Sequence, residues 1–128
     1  MANDTKCACS EAPRLIFACS GASDLGRISD LAARTLTKDG VGKMYCLAGI
    51  GGRVSGIIEN TKSASRIVAI DGCDQDCAKK CLELAGFNEV AHLRLQDLGM
   101  EKGKTPVTKK TVSLVADRVR QMPGLAER

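Results

Sequence analysis

Tryptophan is absent from this chain of 128 residues, and its aromatic rings are only Phe17, Phe87 and Tyr45. The core must therefore be built from Leu, Ile, Val and Ala. Long apolar runs are missing too: no stretch approaches the ~18 residues of a membrane span. The opening Met-Ala-Asn-Asp-Thr-Lys lacks the apolar run of a signal peptide. No membrane partner is expected. Dense blocks of one charge are also missing. The net charge of +4 is mild and spread out, which supports solubility more than nucleic-acid binding, so no nucleic-acid partner is expected. Histidine is nearly absent. His92 stands alone, starts a weak apolar run and reads as a partly exposed residue. Catalysis by a Cys-His-carboxylate set has little to draw on.

Cysteine, in contrast, is plentiful. Seven in a chain of this length is a high count, and an odd number set within α/β periodicity argues against a disulfide framework. A reducing cytoplasm fits best, where clustered cysteines imply metal or thiol chemistry. The size corresponds to one domain with a real core. Residues 1–13 are polar, carry Cys7 and Cys9, close at Pro13 and read as a flexible arm; residues 14–128 form the single α/β domain.

Four short apolar runs read as buried strands, over residues 15–19, 44–48, 67–70 and, more weakly, 91–95. Each is followed by a stretch with helical spacing. The first helix is capped by Ser23 or Asp24 and runs to about Lys38, where Asp39-Gly40 ends it. The second follows the glycines at 49, 51 and 52 and runs to about Asn60. The third covers residues 74–85, with Gly86 placed to end it. The fourth is opened by Pro106 and closed by Pro123-Gly124. This alternation predicts a three-layer α/β sandwich around a short parallel sheet ordered 2-1-3-4, of the Rossmann or flavodoxin-like kind.

In such sheets ligands bind beyond the C-terminal strand ends, where strand order switches. Cys19 ends strand one, Cys73 follows strand three, and Cys46 lies in the second half of strand two. With order 2-1-3-4 these three share one sheet edge, and Cys77 lies in the first turn of the helix above it. Four thiols at one edge suit a tetrahedral Zn²⁺ site, with Zn–S bonds of about 2.3 Å. A helix beginning at Asp74 also places Cys77 at its third position, where unpaired N–H groups acidify a thiol against the opposing charge of Asp74 and Asp76. Cys81 shares a face with Ala78, Leu82 and Ala85 and reads as core packing.

Other patterns are weaker. Gly49-x-Gly51-Gly52 lacks the third glycine of a dinucleotide fingerprint, since Val54 stands in its place. Small cysteine phosphatases want five residues between Cys and Arg; Cys46 and Arg53 have six between them, Cys19 and Arg27 seven. The loop at 99–105, rich in Gly and Lys, follows a strand end and can serve as a solvated turn or a lid.

Three segments together carry a resemblance: Phe17-Ala18-Cys19-Ser20-Gly21-Ala22-Ser23, Cys46-Leu47-Ala48-Gly49-Ile50-Gly51, and Ile70-Asp71-Gly72-Cys73-Asp74-Gln75-Asp76-Cys77-Ala78. In this order, over residues 14–86, they resemble a small family named for its Asp-Gly-Cys motif, whose cysteines have been taken as zinc ligands. The resemblance implies that Cys19, Cys46, Cys73 and Cys77 hold Zn²⁺; it implies no reaction or substrate. The expected function is thus soft-metal binding. The alternative is a thiol-dependent enzyme, redox or phosphatase-like, with Cys77 or Cys19 as nucleophile and Cys73 as resolving thiol. The carboxylates of Asp71, Asp74 and Asp76 disfavour a nearby thiolate unless a cation neutralises them, which tilts the balance to metal.

Overall fold

The computed structural model describes residues 12–125. The expected arm, with Cys7 and Cys9, therefore lies almost wholly outside the described residues. Its last two residues are tied down: the Ala12 and Pro13 carbonyls accept from the Ser65 hydroxyl at 3.0 and 3.2 Å, and Ser65 N–H donates to Pro13.

In chain order the elements are β1 (Arg14–Ala18), α1 (Asp24–Lys38), β2 (Lys43–Met44), α2 (Leu47–Gly51), α3 (Ser55–Lys62), β3 (Arg66–Asp71), α4 (Cys77–Leu84), β4 (Ala91–Arg94), a 3₁₀ turn (Leu95–Leu98) and α5 (Lys109–Arg120). The four strands are all parallel and ordered β2-β1-β3-β4, as the alternation predicts. Ala18 lies opposite Ile70, and Asp71 opposite Arg94.

Side chains along a strand alternate between faces. Ile16, Ala18, Val68 and Ile70 therefore meet α1 and α5, in a cluster with Leu25, Ile28, Leu36, Val115 and Val119. Leu15, Phe17, Ile67 and Ala69 face the other way, onto Ile50 of α2, Ala78 and Leu82 of α4, and Ile57 and Ile58 of α3. Both sheet faces are covered, which gives three layers. Phe17 meets Tyr45 edge-on, with ring centres 6.1 Å apart. Each fully buried Leu, Ile or Phe contributes about 1.5–3 kcal/mol, so this core is held by aliphatic burial on two faces.

Four boundaries differ from the sequence reading. The glycines at 49 and 51, expected ahead of the second helix, lie inside α2, and the helix expected after them is α3, starting at Ser55. The others have local causes. The second strand, expected over 44–48, is only Lys43–Met44. Cys46 instead caps α2, its sulfur accepting from Gly49 N–H at 3.3 Å, and Gly49 leaves room for Ile57, whose Cδ1 sits where a side chain would begin. The third helix begins at Cys77, three residues later than expected, because Asp76 takes the left-handed conformation at φ 54° and turns the chain there. The last helix begins at Lys109 and not at Pro106, because Thr108 and Thr111 form a reciprocal cap.

Candidate metal centre

Five cysteines lie among the described residues, all as free thiols, and all at the C-terminal edge of the sheet or on the helices beside it. Cys19 follows β1 directly, and its N–H still donates to Ile70 in the ladder. That backbone bond fixes it at the tip of a central strand. Cys19, Cys73 and Cys77 line one cleft of about 440 Å³, together with Asp71, Gln75, Asp76 and Lys102. Cys19 also lines an adjoining cleft of about 520 Å³, this time with Cys46 and Cys81. The thiols are thus divided between two clefts that meet at Cys19. Cys81, expected as core packing, is half-buried: it packs against the cluster of Phe17, Ile50 and Leu82 and also lines the second cleft. Among the described residues no three cysteine sulfurs lie within 4.8 Å of one another; the residues that do form such a set of ligand atoms are Asp71, Asp76 and His92.

Each residue of the Asp-Gly-Cys triplet has a mechanical reason. Asp71 ends β3 with only 1% of its surface exposed. Its Oδ1 accepts from Ala78 N–H at 2.7 Å, and its Oδ2 accepts from Lys79 N–H at 3.1 Å. The carboxylate therefore caps α4 from the neighbouring strand end, a task that the side chain of Asp76 does not perform. Gly72 passes against α1 so closely that an added Cβ would stand 2.7 Å from the Cβ of Leu25. No larger residue fits without moving that helix. Cys73 then emerges onto the cleft. Strand tip, helix cap and thiol are fixed as one unit.

His92 and Arg94, two apart on β4, point to the same side and complete this unit. His92 Nε2 lies 2.9 Å from Asp71 Oδ2 and 3.6 Å from Asp76 Oδ1. Arg94 grips Asp76 with two hydrogen bonds, of 2.9 and 2.6 Å. The guanidinium holds the Asp76 carboxyl below its usual range, against the opposing effect of burial. The Asp71, Asp76 and His92 set is thus already hydrogen-bonded within itself, to the amides of α4 and to the Arg94 guanidinium, and it braces the start of that helix. Sequence reading left His92 as a bystander. The signal lay in strand order: with β4 beside β3, residues 92 and 94 flank the end of the strand that carries Asp71.

The helix start also changes the expected chemistry of Cys77. It occupies the first helical position, not the third. Burial, then the charge of Asp71, then the thiols of Cys19, Cys73 and Cys81 push its thiol up, not down. The acidified thiol predicted from a helix beginning at Asp74 is therefore not found. The cation beside the thiols is Lys102, whose Nζ lies 3.8 Å from Cys73 Sγ. Its loop is latched to α1, where Asp24 accepts from Gly103 N–H at 2.9 Å and Thr105 N–H at 3.1 Å. The bond from Gly103 is the main reason the Asp24 carboxyl sits below its usual range. Arg53, tested above as an anion-binding partner of Cys46, instead donates to the carbonyls of Ile50 and Gly51 at the end of α2.

Fold and site together define a class: a small parallel α/β sandwich with clustered thiols at the C-terminal strand ends, one of them within an Asp-Gly-Cys turn. The sequence profile of the DGC domain matches residues 15–119. The chain belongs to the DGC domain family. Among curated proteins it is 34% identical over 88 residues to the anaerobic and virulence modulator AnvM of Pseudomonas aeruginosa, covering 69% of this chain and 67% of that protein. No solved structure matches. No helix among the described residues is long and apolar enough to cross a membrane.

Proposed function

We propose that this protein binds a soft metal ion, Zn²⁺ in the first instance, through cysteine thiolates at the C-terminal edge of its sheet. The observation that carries this reading is the first cleft, where Cys19, Cys73 and Cys77 face one space beside Asp71 and Asp76. A thiol pushed up by burial and by neighbouring negative groups, as Cys77 is, is one whose thiolate a bound cation would strongly favour. Cys46, on the adjoining cleft, is the further donor that the family resemblance supplies. Held there by these thiolates, Zn²⁺ would sit in a closed sulfur shell of the kind used for holding, not for turning over a substrate. The chain's own residues do the rest. Asp71 and His92 fix the start of α4 and with it Cys77. Asp24 fixes the loop that carries Lys102 to the rim.

The two faces of the sheet already bury an aliphatic core without any ion, so the metal would serve sensing, storage, transfer or partner docking. AnvM is described as a modulator of anaerobic and virulence behaviour. A regulatory role for this chain, in the reducing cytoplasm that free thiols favour, agrees with that description.

The test is zinc content of protein purified without added zinc, with thiols counted before and after chelation. Near-stoichiometric zinc, with thiols that become reactive only after chelation, is the expected result. Metal-free protein with one or two fast-reacting thiols, indifferent to added zinc, would favour thiol chemistry instead.

A further inference from the structure

The division of the thiols between two clefts is not required by a single four-thiolate centre. Helix α4 presents Cys77 and Cys81 one turn apart on the same side. Cys77 opens onto the first cleft and Cys81 onto the second. Cys81 packs against the cluster of Phe17, Ile50 and Leu82 and also borders this cleft: a Cβ added to Gly51 would lie 3.8 Å from its sulfur, so that sulfur faces the glycine end of α2. From the other side of the same cleft comes Cys46, its sulfur located by the bond from Gly49 N–H. Cys19, at the tip of β1, borders both spaces. The second cleft offers little other than sulfur to a cation. Its one carboxylate, Asp30, is engaged by Arg34 at 2.6 Å and Ser20 at 2.8 Å.

We infer that Cys19, Cys46 and Cys81, which line one cleft and whose sulfurs an ion would draw closer together, form a second thiolate position for a soft closed-shell ion, sharing Cys19 with the position at Cys73 and Cys77. Thiolates bridge such ions readily, because sulfur keeps lone pairs after one bond, and an all-sulfur donor set selects Zn²⁺ or Cu⁺ over harder ions. Cys46, the further donor named above for the first position, is reassigned to this second one, because it lines the second cleft and not the first.

The inference rests on the metal reading above, and its test separates the two. The reduced full chain is titrated with Zn²⁺ alone, bound metal is counted, and each cysteine's protection from alkylation is followed by peptide mass. Two equivalents are expected. One should protect Cys73 and Cys77, the other Cys46 and Cys81, in either order, with Cys19 protected by whichever binds first. Cys81→Ser should reduce the count from two to one while protection of Cys73 and Cys77 persists. The protection pattern of the unaltered protein stands even if that variant folds poorly. A single equivalent that protects Cys46 together with Cys73 and Cys77 would overturn the second position and leave the metal reading intact. So would a second equivalent that protects Cys7 and Cys9. Failure to bind any zinc would end both.

Discussion

Asp71 shows how much one side chain can carry in so small a fold. It is buried, caps two amides of α4 and meets His92, so truncation leaves two N–H donors and an imidazole without their partner. Losing a helix cap costs about 1 kcal/mol, and each buried donor left unsatisfied costs about 1–3 kcal/mol. Asp71→Ala is therefore expected to destabilise the protein by on the order of 3 kcal/mol, read as a lower urea midpoint at unchanged m-value. Asp71→Asn keeps acceptor capacity and should lose clearly less. A loss under ~1 kcal/mol in the alanine variant would mean that α4 finds its cap elsewhere. Cys77 carries the second expectation at this scale. With its thiol pushed up by burial and by Asp71, the native, metal-free protein should alkylate at Cys77 with a pH midpoint above that of the same cysteine in the denatured chain. A native midpoint below the denatured one would restore the helix-acidified thiol that the sequence alone suggested.

Elements were legible where a periodic pattern was long and illegible where a cap decided the boundary. The first, third and fourth apolar runs and the 15 residues of α1 could be read directly, whereas most of the second run is a loop and the start of α2. The start of α4 could not, because it depends on a left-handed Asp76 and on a carboxylate from another strand. The candidate site divides in the same way. Cys19, Cys73 and Cys77 were placed at one sheet edge by strand order alone, whereas the opening of Cys81 to a second cleft and the bracing by His92 and Arg94 needed the side chains' actual directions. The loop at 99–105 was readable as a lid but not its latch, since nothing local marks Asp24 as its acceptor. That latch has a pH signature. Asp24 has its carboxyl held down in the folded state, so it contributes stability that is fully present above the unfolded value of about 3.9 and is lost as pH falls through the lower folded value. Exchange of the Gly103 and Thr105 amides should therefore be slow, relative to free-chain rates, at about pH 4 and above, and lose that protection only as pH falls further, through the lower folded value. Asp24→Ala should remove the protection at neutral pH as well. Equal protection in both proteins would show that the loop is held by something other than Asp24.

For the whole molecule, the question is whether metal and fold are linked as they are in a zinc finger, where the chain is unfolded without its ion. The two-faced core here argues otherwise. Ile16, Val68 and Ile70 on one side and Phe17, Ile67 and Ala69 on the other are buried against aliphatic side chains of the helices, even on the face where α4 also carries Cys77 and Cys81. Chelation should leave the far-ultraviolet circular dichroism and the cooperative urea transition in place. Zinc binding to the folded state alone would then add RT ln(1 + [Zn]/Kd), about 2.7 kcal/mol when free zinc is a hundredfold above Kd. For a chain of this size that is a rise of roughly 10 °C in Tm. The rise should shrink when Cys19 is replaced by serine, because both clefts lose a donor, and it should reverse fully on adding chelator. Loss of all cooperative structure on chelation would instead make the ion part of the folding unit, and the buried aliphatic faces would then have to be judged insufficient on their own. A zinc-independent Tm, equal in the native and Cys19→Ser proteins, would leave the fold as described and remove the metal from it.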